Sequence, residues 1–185
     1  VERAHEGMED LITDLLTLAR EGETIDDPEW VDLESLATTR WENVAETGAA
    51  RLRVEADVRL RCDQSRLGQA LENLFRNAVE HGSTSSQPPA DDAVEHAGGD
   101  VTVTVGLLEG GTGFYVEDDG TGIDEDQRER LLDGEHSGER GQVRFGLAIV
   151  QRIVDAHGWN IEITDAENGG ARFEITGVEL STSDG

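Results

Sequence analysis

Three segments decide how this chain reads: Glu72-Asn73-Leu74-Phe75-Arg76-Asn77-Ala78-Val79-Glu80-His81, then Asp118-Asp119-Gly120-Thr121-Gly122-Ile123, then Phe145-Gly146-Leu147-Ala148-Ile149-Val150. The first sits on a helix expected to start at Asp63 or Gln64 and run to His81. Leu67, Ala70, Leu71, Leu74, Phe75, Ala78 and Val79 recur at three- and four-residue steps and give it one apolar face. Asn73 and Asn77 are four residues apart and project together beside that face. The second segment ends a strand in which alternation puts Phe114, Val116 and Asp118 on one side and Asp119 on the other. A carboxylate continuing an apolar face needs a hydrogen-bond donor. Gly120 and Gly122 permit positive φ and close approach of a flat ligand, and Ile123 offers a surface to pack on it. The third segment is expected to open a helix at Gly146, with free N–H groups suited to phosphate, running to His157 and capped by Gly158. Taken singly, each has an ordinary reading: two surface asparagines, an acidic turn, a buried amphipathic helix.

The flanking chain supplies the rest of an α+β layer structure. Met8, Leu11, Ile12, Leu15, Leu16 and Ala19 predict a helix over 6–20 whose stripe needs a partner helix. An acidic stretch with Pro28 reads as a linker. Asp32 is placed as N-cap of a helix over 33–47. Arg51 to Cys62 alternates and reads as two short strands broken near Glu55-Ala56-Asp57. Residues 82–99 carry almost no apolar side chains and read as a solvated or disordered insertion. Strands follow at 101–108 and 113–118, a short helix near Gln127–Leu132, and strands at 159–165 and 171–178 around Asn168-Gly169-Gly170. Residues from Ser181 read as a frayed tail. The expected architecture is a two-layer sandwich, a mixed and mostly antiparallel sheet with helices on one face. The division is 1–22 as an N-terminal helix, 23–32 as linker, 33–180 as the folded domain and 181–185 as tail.

Composition narrows the partners. The 185 residues carry 15 basic and 41 acidic side chains, a formal charge of −26. Every basic residue is arginine. Such a surface repels nucleic acid and anionic lipid. A solvated acidic exterior adapted to high salt is the leading explanation, since molar salt shortens the Debye length to roughly 3 Å. A halophilic source and unfolding at low salt are therefore expected. The single Cys62, in an alternating apolar run, reads as a small buried residue in a reducing compartment. The five histidines show no metal-ligand spacing, and no apolar run approaches the roughly 20 residues that span a membrane. A chain opening at Val1 is read as a fragment.

In their order and spacing, the three segments resemble the N, G1 and G2 boxes of sensor histidine kinases, which use the Bergerat-type ATP-binding fold. The resemblance covers roughly residues 5–180. It implies that Asn77 coordinates a Mg²⁺ bridging the nucleotide phosphates, that His81 reaches the phosphates, and that Asp118 receives the adenine amino group beside Gly120, Gly122 and Ile123. Gly146 and Leu147 then begin the helix after the ATP lid, which spans 124–145. Asn73 stands where related gyrase- and chaperone-type ATPases carry a water-activating glutamate. An amide is no useful base at neutral pH, so phosphoryl transfer is favoured over hydrolysis. The implied catalytic pair is Asn73 and Asn77.

Three departures are visible. Glu80 replaces the usual lysine. Gln142 and Arg144 replace two glycines of the expected Gly-x-Gly-x-Gly-Leu, so that either their side chains obstruct the phosphates or the Arg144 guanidinium serves them. No phosphoacceptor box is present; residues 1–21 instead resemble the end of a second dimerisation helix. The implied protein is a cytoplasmic-facing kinase, a homodimer at full length, that uses Mg-ATP to phosphorylate a histidine on a helix absent here and passes the group to a response regulator. The alternative is a non-catalytic nucleotide-sensing or interaction module of the same fold.

Overall fold

The computed structural model describes residues 25, 27–44, 50–83, 101–132 and 141–182, with side chains at all of these but 81–83, 129–132 and 141–145. The expected helix over 6–20 and most of the 82–99 insertion lie outside them. In chain order the elements are β1 (Glu29–Asp32), α1 (Leu33–Val44), β2 (Ala50–Glu55), β3 (Val58–Cys62), α2 (Gln64–Ser83), β4 (Val101–Leu107), β5 (Gly113–Asp118), α3 (Glu125–Leu132), α4 (Gly141–Ala156), β6 (Asn160–Asp165), β7 (Ala171–Thr176) and β8 (Leu180–Thr182).

The large sheet has the order β2-β4-β5-β7-β6. Only β2 and β4 pair parallel; the other neighbours are antiparallel. A parallel pair needs a long crossover, and α2 lies within this one. Val103, Val105, Phe114, Val116, Ile163, Phe173 and Ile175 are buried, and α2 packs over β4 and β5 while α4 packs over β6. Leu67, Leu71, Leu74 and Phe75 of α2 are all buried to 1% exposure or less. Each such side chain contributes about 1.5–3 kcal/mol by leaving water. The opposite face of the sheet is polar: Tyr115 lies across Gly106, and the Arg172 guanidinium stands 3.7 Å over the Tyr115 ring while bonding Glu117 and Glu174.

Helix ends follow local chemistry. Ser35 N donates to Asp32 Oδ1 at 2.7 Å, so Asp32 caps α1, and this bond holds the Asp32 carboxyl below its ordinary pKa. Asp63 caps α2 through Arg66 N at 3.0 Å. Gly158, at φ 72°, ends α4.

Three expectations are corrected. Residues 29–32, placed in a linker, form β1 and pair with β3. Ser181 and Thr182, placed in a tail, lie in β8, which pairs with the other side of β3. The two strands expected within 51–62 do form, and buried Ala56 turns the chain between them from the large sheet into the small one, β1-β3-β8. Finally, α4 opens at Gly141, five residues before Gly146. Gln and Arg at 142 and 144 sustain helix where two glycines would disfavour it by about 0.5–1 kcal/mol each.

Candidate functional site

Asn73 and Asn77 are 5% and 8% exposed, the only buried polar side chains among the described residues. This removes the ordinary surface reading of the pair. Asn73 Nδ2 donates to the Gln69 carbonyl at 3.0 Å, whereas Asn77 Nδ2 is buried with no hydrogen-bond partner. A buried polar group left unpaired costs free energy, so the Asn77 amide nitrogen retains an unfilled donor. The two amide oxygens converge on α4: a Cβ at Gly146 would stand 3.0 Å from Asn73 Oδ1 and 3.6 Å from Asn77 Oδ1. A side chain at 146 would press on the Asn73 amide, and Leu147 beside it is buried in the core. The longer helix therefore sets Gly146 in its second turn, where its N–H is committed to the helix and not free for an anion.

Glu72, next to Asn73, faces elsewhere. Its Oε1 accepts from Arg40 Nη1 and Asn43 Nδ2, both at 3.0 Å. Trp41 of α1 meets Phe75 edge-on at 5.3 Å. Thus α1 grips the outer side of α2 while the asparagines point inward.

Asp118 ends β5, the strand beneath α2. It is half-buried, and its Oδ1 accepts from Gly120 N at 2.9 Å and Ala171 N at 3.4 Å. A Cβ at Gly170 would lie 1.8 Å from the Asp118 carbonyl oxygen, and one at Gly122 would lie 2.9 Å from the Gly169 carbonyl oxygen. The Asp118–Ile123 loop therefore rests directly on the β6–β7 turn. Gly122 has φ 76°, a conformation open chiefly to glycine. Ile123 packs against the core. Asp119 exchanges hydrogen bonds with Thr102 instead, Oδ1 accepting from Thr102 N at 2.8 Å.

Of the residues expected in the site, Asn73, Asn77, Gly146 and Leu147 come together between α2 and α4. Asp118, Gly120, Gly122 and Ile123 gather with Gly169 and Gly170 at the sheet end. The side chains of His81 and Arg144 lie outside the described set. Sequence reasoning missed Gly170 and Ala171, which hold Asp118; the Asn168-Gly169-Gly170 run signalled a turn and nothing about its neighbour. It also missed that His157 links the far ends of the two helices. His157 Nε2 accepts from Asp63 N at 3.0 Å, its Nδ1 lies 2.7 Å from the Ile153 carbonyl, and Trp159 stacks on the ring at 4.2 Å. Burial pulls its pKa below the ordinary value. Cys62 is buried and its thiol is pushed up to about 12, which makes it inert as a nucleophile.

Residues 62–180 match the family described as histidine kinase-, DNA gyrase B-, and HSP90-like ATPase. The chain belongs to this ATPase family. It is 30% identical over 183 residues to the methanogenesis regulatory histidine kinase FilI of Methanothrix harundinacea (strain 6Ac), covering 92% of this chain and 19% of that protein. It is 34% identical over 120 residues to the sensor histidine kinase ZraS of Salmonella typhi, covering 63% of this chain and 23% of that protein. The chain spans less than a quarter of either relative's length. Full-length ShkA, solved in complex with AMPPNP, matches with a TM-score of 0.70 at 26% identity over 98% of this chain and 38% of that chain. The ATPase domain seen here is thus similar to those of sensor histidine kinases, and its mixed five-stranded sheet with helices is their fold. No described helix is long and apolar enough to cross a membrane.

Proposed function

We propose that this ATPase domain binds Mg-ATP and transfers the γ-phosphoryl to a histidine on a helix outside the chain, as the catalytic part of a two-component sensor histidine kinase. The observation that carries the reading is the buried Asn73–Asn77 pair, whose oxygens converge although nothing in a structural core requires two amides there. Magnesium prefers oxygen ligands and keeps several waters. Asn77 would hold it, with Asn73 alongside, and the ion would neutralise phosphate charge during transfer. His81, Arg144 and, once the start of α4 withdraws, Gly146 and Leu147 are the residues assigned to the phosphate side. Asp118 takes the adenine amino group, with Gly120, Gly122 and Ile123 shaping the base site. The acceptor helix belongs to the same or a partner subunit of a homodimer, a response regulator receives the group, and the domain faces the cytoplasm. The acidic, lysine-free composition supports a halophilic setting.

One observation favours a second reading, a non-catalytic module of the same fold. The extended α4 brings Gly146 against both amide oxygens, where metal and phosphate would have to enter. Calorimetric titration of a non-hydrolysable Mg-ATP analogue at molar KCl separates the two. Micromolar binding lost in Asp118→Asn supports the kinase reading. A folded chain that binds nothing supports the second.

A further inference from the structure

The Asp118–Ile123 loop contains two glycines and has little intrinsic rigidity. It is nonetheless tied at both ends to one rung of the sheet. That rung is Asp165 opposite Ala171 in the β6–β7 ladder. At the start of the loop, Ala171 N reaches Asp118 Oδ1. At its end, Arg128 of α3 donates from Nε to the Ile123 carbonyl at 3.0 Å and from Nη2 to Asp165 Oδ1. We propose that Arg128 is a positioning residue for base recognition, a brace that fixes the Ile123 end of the loop to the rung that holds Asp118. This rests on the reading of that loop as the adenine site.

The guanidinium is suited to the task. It offers donors in a rigid fork, so one side chain serves a backbone carbonyl and a carboxylate at once. Its side chain is 19% exposed, whereas that of Asp165 is 74% exposed. An ion pair at such a surface contributes little to stability by itself. The consequence of the brace is geometric: a base contact at Asp118 and a packing surface at Ile123 must keep a fixed separation.

The test measures affinity of the 185-residue chain for non-hydrolysable Mg-ATP and Mg-GTP analogues at molar KCl, in wild type, Arg128→Gln and Asp165→Ala. The expected result is an approximately tenfold loss of adenine-nucleotide affinity in Arg128→Gln, the scale of one lost hydrogen bond to a charged group. The guanine nucleotide changes less, so the adenine preference shrinks. Asp165→Ala moves the same way by a smaller factor and, being exposed, decides the matter should Arg128→Gln fail to fold. A folded variant that keeps the adenine preference overturns the brace, as does an equal loss for both nucleotides. Wild type that binds neither nucleotide, or binds both without preference, overturns the base site itself and the brace with it.

Discussion

Freeing the first turns of α4 should tighten nucleotide binding. In the structure, Gly146 stands before the oxygens of Asn73 and Asn77, held there by a helix that begins at Gly141. Mg²⁺ sits about 2.0–2.1 Å from its oxygen ligands, so the start of α4 must withdraw before metal and phosphate can reach Asn77. Affinity is then reduced by the fraction of molecules in the helical form. The informative comparison is Gln142→Gly with Arg144→Gly against Arg144→Ala alone, since both lack the guanidinium. Glycine in a helix costs about 0.9 kcal/mol against alanine and about 0.5 kcal/mol against glutamine. The sum, about 1.4 kcal/mol, corresponds to about tenfold tighter binding by the double variant. Calorimetry with a non-hydrolysable Mg-ATP analogue at molar KCl reads this directly, and amide exchange at 141–145 checks that the helix has loosened. Equal or weaker binding by the double variant would refute competition between helix and nucleotide. Arg144→Ala against wild type separately reports the guanidinium, and a loss there marks Arg144 as a phosphate contact.

Other outcomes follow from single contacts. Phe75→Ala should destabilise the fold by about 3–5 kcal/mol, read as a shift in denaturant midpoint, because Phe75 is fully buried and packs against Trp41. Asp32→Ala should cost about 1 kcal/mol through loss of the α1 cap, with a neutral Asn substitute restoring most of it. Burial lowers the pKa of His157, so the folded state resists its protonation. The stability this neutral ring contributes is complete above the ordinary value of about 6.5 and is lost as pH falls from there through the lower folded-state value. Denaturant midpoints measured against pH at molar KCl should show this slope in wild type and not in His157→Phe; identical slopes would dismiss it. Lowering KCl from molar to about 0.05 M lengthens the screening distance from roughly 3 Å to more than 10 Å, and melting temperature should fall steeply with it. A melting temperature indifferent to salt would count against the halophilic reading.

The elements that sequence made legible are those with strong periodicity. The stripe of α2, the alternation of β4 and β5, and the glycine-ended α4 all report burial on one face, and burial depends on residue type alone. Partner choice does not. Residues 51–62 alternate throughout, yet β2 joins β4 while β3 joins β1 and β8, because the turn at Ala56 is a tertiary event. β1 and β8 are four and three residues long, too short for any pattern to stand out from an acidic linker or a tail. The start of α4 was misplaced for a different reason: the polar residues before Gly146 resemble a loop in composition, while Gln142 and Arg144 are good helix formers. In the site, residue types pointed to Asn73, Asn77 and Asp118. Gly170 and Ala171 are invisible to that reasoning because each acts through backbone contacts with a distant segment, and Arg128 because its partners, the Ile123 carbonyl and the Asp165 carboxylate, are fixed only by the fold.

The carboxylates around α2 bear on whether bound ATP would be hydrolysed or its phosphoryl passed on. Asn73 cannot take a proton from water at neutral pH. The adjacent carboxylate, Glu72, projects about 100° around the helix and is held against α1 by Arg40 and Asn43. Freeing it by Arg40→Ala leaves that angle unchanged, because the helix sets it. The chain should therefore release inorganic phosphate from Mg-ATP no faster than the uncatalysed background, in wild type and in Arg40→Ala alike. Phosphate should instead leave ATP only when a dimerisation helix with an acceptor histidine is supplied. Appreciable turnover by the chain alone, abolished in Asp118→Asn, would show that a group other than these activates water, and would move the domain toward the hydrolytic members of its family.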